Sequence, residues 1–167
     1  MATFQEHVDH ANKNLLFLTE TNLKNTDFWD WQVTTAFYVA VHIVNAHLAK
    51  KGNLHYRTHE DVKNSLNPHN PLAVCKIEEQ VYLAYTKLEM LSRRARYLCH
   101  DKKENKSDSI HFTHDRHFAK AVRNLDKILD LFKTMYELTF IDPVVSCQDL
   151  TNNEGLKIFK ISVKKVA

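Results

Sequence analysis

The sequence predicts an all-α fold: an up-and-down antiparallel bundle of four long helices and one short helix, followed by a C-terminal β-hairpin. Glycine and proline are rare, with two and three copies among 167 residues, which favours ordered helices. Three long segments repeat their apolar residues at steps of three and four. In addition, the stretch from Trp29 to Ala49 is apolar on nearly all sides. Such a helix needs neighbours on most sides, so we expect it at the centre of the bundle.

Capping patterns set the bounds of the first three predicted helices. Thr3 and Glu6 form a T-x-x-E capping box that begins the first helix, which is expected to reach about residue 23. The central helix ends at Gly52, after a basic last turn. A short helix is predicted over 58–66, and the prolines that follow bar its continuation.

Two further helices are predicted in the second half of the chain. The fourth helix is predicted over 72–98, where apolar residues recur at steps of four and three. Residues 101–108 contain no apolar side chain and are expected to form a solvated loop. Thr113 then caps the fifth helix, whose apolar stripe ends at Met135.

The chain changes character after Pro143. Two short apolar runs, over 144–150 and 156–163, flank the turn-rich sequence TNNEG, and the second run alternates apolar and polar residues. We interpret this tail as a β-hairpin. The predicted organisation is a helical bundle over 1–140 and a C-terminal extension over 141–167.

The most concentrated candidate site is the end of the fourth helix, where three arginines precede a histidine. The cluster comprises Arg93, Arg94, Arg96 and His100, and Lys102 and Lys103 follow directly. Arginine binds phosphate oxygens bidentately, and histidine moves protons near neutral pH. Together they suit binding and cleavage of a phosphodiester without a metal.

Helical geometry separates the arginines. At about 100° per residue, Arg93 and Arg96 lie near the azimuth of His100 and Arg94 points away from it, provided that the helix reaches His100. If the helix ends earlier, Arg94 is again a candidate. The alternative is that these basic residues only complement the dipole of the last turn.

A second basic group follows the central helix, with His55, Arg57 and His59 in one short loop. These residues are candidates for binding. They are equally typical of a solvated loop that leads into a helix cap.

Composition and motifs exclude several functions. The three cysteines are widely spaced without a CxxC pattern, so we expect no disulfide framework. The N-terminus lacks a signal-peptide pattern, so we expect a cytoplasmic protein without a membrane span. Closely spaced histidines at 111, 114 and 117 lack a third ligand of certain position, and no metal is expected. The absence of a Gly-rich phosphate loop predicts no nucleotide cofactor. A net charge of +3 permits an anionic partner.

Three segments carry a resemblance to a known family. They are DWQVTTAFYVAVHIVNAHLAKKG in the central helix, LHYRTHEDV after it and YTKLEMLSRRARY in the fourth helix. With them the chain resembles a HEPN domain (higher eukaryotes and prokaryotes nucleotide-binding) of the small, standalone prokaryotic type, over about residues 3–138. Many HEPN proteins are metal-independent endoribonucleases that act as toxins or in RNA processing. Their R-x(4–6)-H motif lies near the end of a long helix at a dimer interface.

The resemblance implies two functions for this chain. In the first, a homodimer cleaves RNA, with Arg94-x5-His100 or Arg93-x6-His100 as the motif and Arg96, Lys102 and Lys103 as binding residues. In the second, the chain is a non-catalytic module that binds RNA, a nucleotide or a protein such as a nucleotidyltransferase-like antitoxin. Tyr82, Tyr85 and Met90 lie off the main stripe of the fourth helix and are candidates for the dimer contact. They are equally typical of a broad core face.

Overall fold

Five helices and one small sheet make up the described part of the chain. The computed structural model describes residues 2–24, 27–97, 112–151 and 154–162. The helices are α1 (Phe4–Lys24), α2 (Trp29–Gly52), α3 (His59–Leu66), α4 (Glu79–Tyr97) and α5 (Asp115–Tyr136), and the strands are β1 (Val144–Val145) and β2 (Lys160–Ile161). The predicted all-α bundle with a small C-terminal appendage is confirmed. The predicted loop at 101–108 lies outside the described residues.

α2 is the central helix, as the sequence predicts. It packs against α1, α4 and α5, and α4 also packs against α5. Fully buried side chains such as Phe37, Val39 and Ala40 project from several sides of α2 into one hydrophobic core. Among the residues that the structure describes, no helix has the length and apolar character needed to span a membrane.

Two predicted helix starts are confirmed by their hydrogen bonds. Thr3 and Glu6 bond reciprocally at the start of α1: the Thr3 N–H donates to the Glu6 carboxylate at 2.7 Å and the Glu6 N–H donates to Thr3 Oγ1 at 3.2 Å. Thr58 caps α3, since its Oγ1 accepts from the Asp61 N–H at 3.1 Å. These three bonds satisfy amide donors that lack a partner within their own helix.

α4 begins at Glu79 and not at residue 72, where the apolar pattern starts. The preceding segment is bonded to the end of α3: the N–H groups of Cys75 and Ile77 donate to the carbonyls of Ser65 and Leu66. Both side chains are buried in the core, which explains why they continue the apolar rhythm without being helical.

Tyr85 lies in the core and not on an interface surface. It is fully buried, and its ring centroid is 5.8 Å from that of Phe37. The prediction that it is interface material is therefore wrong, because the core face of α4 is wide enough to include it. Tyr82 is half-buried and Met90 is 48% exposed.

The C-terminal tail pairs its two strands in parallel, so the predicted β-hairpin is wrong. Val144 pairs with Lys160 and Val145 with Ile161. The chain between them does not turn back directly, because it is attached to α5. The buried Asp126 carboxylate accepts three backbone N–H groups, from Lys157, Ile158 and Phe159, at 2.9–3.1 Å.

The tail is also bonded to the first helix. The Asn22 side chain, fully buried in α1, accepts from the Ser146 N–H at 2.6 Å and donates to the Ser146 carbonyl at 3.0 Å. Val145, Leu150 and Phe159 belong to the same hydrophobic core as the helices. The extension is therefore packed into the bundle.

Three helix ends meet at one end of the bundle. The charge of Arg94 near the end of α4 acts on His117 near the start of α5, so these two helices run antiparallel. Phe118 packs on Trp29 at the start of α2, with ring centroids 5.5 Å apart. We call this part of the molecule the arginine end and define it as residues 93–97 of α4 with residues 112–118.

Candidate nucleic-acid interface at the arginine end

The last turns of α4 divide its arginines between two sides. Ser92 and Ala95 are buried against the bundle, Arg93 and Arg96 are exposed, and Arg94 is half-buried. This agrees with the sequence-based placement of Arg94 on a different side from the other two. α4 is described as far as Tyr97, and His100, Lys102 and Lys103 lie outside the described residues.

Arg94 has an unsatisfied donor. Its Nε is buried and has no hydrogen-bond partner within the described part of the chain. Buried polar groups normally have a partner, and a charged donor without one is costly. The Nε of Arg94 is therefore available to donate to an acceptor that lies outside the described residues.

Arg96 is held along its own helix. Its Nε lies 3.4 Å from the Ser92 carbonyl oxygen, and its guanidinium carbon lies 5.2 Å from the centroid of the Tyr97 ring. Tyr97 itself is 67% exposed. An arginine beside an exposed aromatic ring can bind a phosphate while the ring stacks on a base.

Two histidines at the start of α5 complete the arginine end. His114 precedes the helix, and its backbone N–H donates to Nδ1 of His117 at 2.9 Å. Since Nδ1 accepts this bond, the neutral ring of His117 carries its proton on Nε2. The predicted cap at Thr113 is wrong by one residue, because His114 is the N-cap of α5. Thr113 Oγ1 is buried without a partner in the described chain.

The pKa of His117 is lowered to about 4, first by burial and then by the positive charge of Arg94 and Arg116. The ring is therefore neutral at pH 7 and contributes a hydrogen-bonding group beside Arg94. Sequence reasoning considered His117 only as a metal ligand. The H-x-x-H spacing at a helix start, analogous to a capping box, could have indicated its structural position.

The loop after α2 lies apart from the arginine end. α2 begins at the arginine end and is 24 residues long, which places the residues after it about 35 Å away along the helix axis. There, His55 is half-buried and acts electrostatically on His7 of α1, and Arg57 is exposed. The chain then returns along α2, since His59 begins α3 with its ring centroid 5.1 Å from that of Phe37, eight residues after the start of α2. His55 and Arg57 therefore lie apart from the arginines of α4, whereas His59 lies about 12 Å along α2 from the arginine end.

A cluster of histidines joins α1 to α2 on that far side. Nδ1 of His7 lies 3.3 Å from Nδ1 of His42, and His10 stacks on His42 with ring centroids 4.1 Å apart. Burial, with the charges of His10 and His7, lowers the pKa of His42 to about 4. Within the described ranges, no group of three or more His, Cys, Asp or Glu side chains is arranged to hold a metal ion.

Comparisons with known proteins add no assignment. A scan against protein-family models, a search of curated proteins and a search of solved structures each found no match.

Proposed function

We propose that the protein binds RNA at the arginine end and cleaves it there without a metal, as a HEPN-like endoribonuclease. The observation that carries this proposal is the buried Nε of Arg94, which has no partner in the described chain. A phosphate oxygen supplies the missing acceptor, and the exposed Arg93 and Arg96 add positive charge around it.

The proposed reaction uses the ribose itself as nucleophile. The 2′ oxygen forms a bond to phosphorus while the bond from phosphorus to the 5′ oxygen breaks, which leaves a 2′,3′-cyclic phosphate. The 2′ hydroxyl loses its proton to solvent, and the departing 5′ oxygen gains a proton from His100. Arg94, or Arg93 in the other reading of the motif, stabilises the charge that develops on the phosphate oxygens.

The test is cleavage of mixed single-stranded RNA by the purified protein with chelator present. His100→Ala is expected to lower turnover by about 10²–10⁴-fold while RNA binding persists, because only proton transfer is lost. The matched control is His69→Ala. His69 is exposed and pairs with Glu79 at the far end of α4. Equal cleavage by the wild type and His100→Ala, or cleavage by neither, rejects the mechanism. Separate Arg93→Ala and Arg94→Ala variants identify the arginine that acts.

We also propose that the active form is a cytoplasmic homodimer. Phe28 and Trp31, at the α2 end that meets the arginine end, are 53% and 63% exposed. Large exposed aromatic side chains are typical of interfaces, and a contact here brings two arginine ends together.

The free thiols of Cys75 and Cys147 support a reducing compartment. Sedimentation at micromolar concentration is expected to give twice 19.6 kDa. For Trp31→Glu it should give the monomer, and a wild-type monomer contradicts the dimer.

The same aromatic surface favours a second candidate function, a non-catalytic module that binds a protein such as a nucleotidyltransferase-like antitoxin. In that case Trp31→Glu abolishes partner binding, and the purified chain does not cleave RNA.

A further inference from the structure

α4 and α5 enclose a groove of about 400 Å³ beside the arginine end. Four of its lining residues are basic: Lys87 on α4, and Lys120, Arg123 and Lys127 on α5. Because the helices are antiparallel, the groove leads away from the end of α4 towards the earlier turns of that helix. Among its lining residues, only Met90 is a functional candidate on sequence grounds, for the dimer contact.

The basic residues follow the direction of the groove. Arg116, Lys120, Arg123 and Lys127 are separated by steps of four, three and four, so they share one side of α5. Eleven residues at 1.5 Å each give this row a length of about 16 Å. On the opposite wall, Lys87 is two turns before Arg94 and on the same side of α4.

Three of these charges are uncompensated. The side chains of Lys87, Lys120 and Lys127 have no ion pair or hydrogen bond with another residue in the described ranges. Lys63 shows the contrast, since it lies within 3.0–3.2 Å of two carboxylates. Like charges around one groove repel one another, and a bound polyanion relieves that repulsion.

Arg123 lines the same groove but is already paired with a carboxylate of this chain. Its guanidinium donates to the Glu154 carboxylate at 2.5 and 2.6 Å and also to the Asp149 carbonyl. Its charge is therefore used to hold the C-terminal tail. The charge open to a ligand in the groove comes from the three lysines.

The groove suits a single strand better than a duplex. Proteins that read double-stranded RNA span about 16 base pairs, which is far longer than the row on α5. Single strands, by contrast, are bound by a basic groove combined with aromatic rings for the bases. Tyr97 is seven residues after the groove residue Met90, so it lies on the same side of α4, and its ring is 67% exposed.

We propose that Lys87, Lys120 and Lys127 bind the phosphates of a single-stranded RNA, independently of base sequence, and guide the strand to the arginine end. The proposal rests on the proposed function, because it assigns the path of the same substrate. It also makes a distinct statement about length: a substrate too short to enter the groove does not use these lysines.

The test compares a triple groove variant (Lys87→Gln, Lys120→Gln, Lys127→Gln) with a matched triple control (Lys13→Gln, Lys24→Gln, Lys76→Gln). All three control lysines are exposed and lie on α1 or before α4. Both variants lose three positive charges, and circular dichroism verifies their folding. The probes are a labelled uridine dodecamer, the same dodecamer paired with an adenosine dodecamer, a polyglutamate peptide and a uridine dinucleotide. Affinities are measured with His100→Ala added to both variants, so that the RNA stays intact, and dinucleotide cleavage is measured without that change in chelator.

The groove variant is expected to bind the dodecamer about tenfold more weakly than the control, at about 0.1 M salt. Its salt dependence should fall by about two units of slope, since each lost phosphate contact removes about 0.7. Cleavage of the dinucleotide should be the same for both variants.

Each outcome bears on one proposal. Equal affinity of the two variants for the dodecamer overturns the proposal that the groove binds RNA, whatever the cleavage result. Tighter binding of the duplex or of polyglutamate overturns the assignment to single-stranded RNA. If the groove variant shows the expected loss but no protein cleaves RNA, the groove is supported and the proposed reaction fails. If dinucleotide cleavage depends on His100 and both variants bind the dodecamer alike, the reaction stands and the groove fails.

Discussion

His42 and His117 both have a pKa lowered to about 4, and the two rings differ in the neighbours that add to the effect of burial. Burial lowers both values to about 4. The remaining influence on His42 comes from His10 and His7, which are themselves titratable. For His117 it comes chiefly from Arg94 and Arg116, whose charges are permanent.

The difference separates a structural histidine from one that responds to a ligand. An anion at the arginine end neutralises the charges around His117, so its pKa can rise on binding. Among the described residues, no permanent charge comparable to Arg94 lowers the pKa of His42, which is set first by burial and then by His10 and His7. A low histidine pKa therefore does not by itself indicate a functional site, and the cause of the shift must be identified.

The largest expected effect is shared by both histidines and concerns stability. Their folded pKa of about 4 lies below the unfolded value of 6.5, so unfolding takes up protons between these values. The free energy of unfolding therefore has its full value above pH 6.5. It falls as the pH decreases towards 4, by about 1–3 kcal/mol for each histidine. Urea denaturation at pH 7 and pH 4.5 measures this loss.

The control for this prediction is the double variant His42→Gln, His117→Gln. Its stability should depend less on pH in the same window. His7 and His47, whose pKa values burial also lowers, should maintain part of the slope. An unfolding free energy that does not change between pH 7 and 4.5 contradicts the assignment.

A smaller effect distinguishes the two histidines. Binding of a single-stranded oligonucleotide should raise the pKa of His117 by about one unit, because phosphates offset the charge of Arg94. The pKa of His42 should not change. NMR titration of the imidazole protons measures both values in one sample, and a 2′-deoxy oligonucleotide prevents cleavage. Equal shifts at the two rings, or none at His117, would refute the ligand-responsive role of His117.

The smallest expected effect is the change in histidine pKa caused by one substitution beside each ring, measured without RNA. Arg94→Gln should raise the pKa of His117 by about half a unit and leave His42 unchanged, because a permanent charge is removed. His10→Gln should raise the pKa of His42 by a few tenths and leave His117 unchanged. The same NMR titration applies, with Lys13→Gln as the control. A change at the distant ring in either variant would show that the two sites are coupled.

The helices were predictable because their signals are local. The apolar rhythm of α1, α2 and α5 and the caps at Thr3 and Thr58 depend on residues within one or two turns. The tail was not predictable in the same way. Alternation over 156–163 favours a strand, but parallel pairing depends on Asp126, which lies more than 30 residues earlier in the sequence.

The candidate site was predicted in part. The sequence indicated the arginines of α4 and the separation of Arg94 from Arg93 and Arg96. It gave no indication that the charge of Arg94 acts on His117, since 22 residues separate the two in the sequence. The basic row on α5 was visible as a 4-3-4 spacing, yet its pairing with Lys87 becomes apparent only when the two helices are placed together.

The bonds between Asn22 and Ser146 have a consequence for the order in which the chain can fold during synthesis. The two residues are 124 positions apart, so α1 leaves the ribosome long before its buried amide can meet Ser146. The Asn22 amide can donate early to Gln32 on α2, ten positions away, but its oxygen has to remain hydrated until the last quarter of the chain is made. The nascent protein therefore gains its final stability late, when β1 arrives. A chain that ends at residue 140 would contain all five helical segments but would lack the hydrogen bonds between Asn22 of α1 and Ser146.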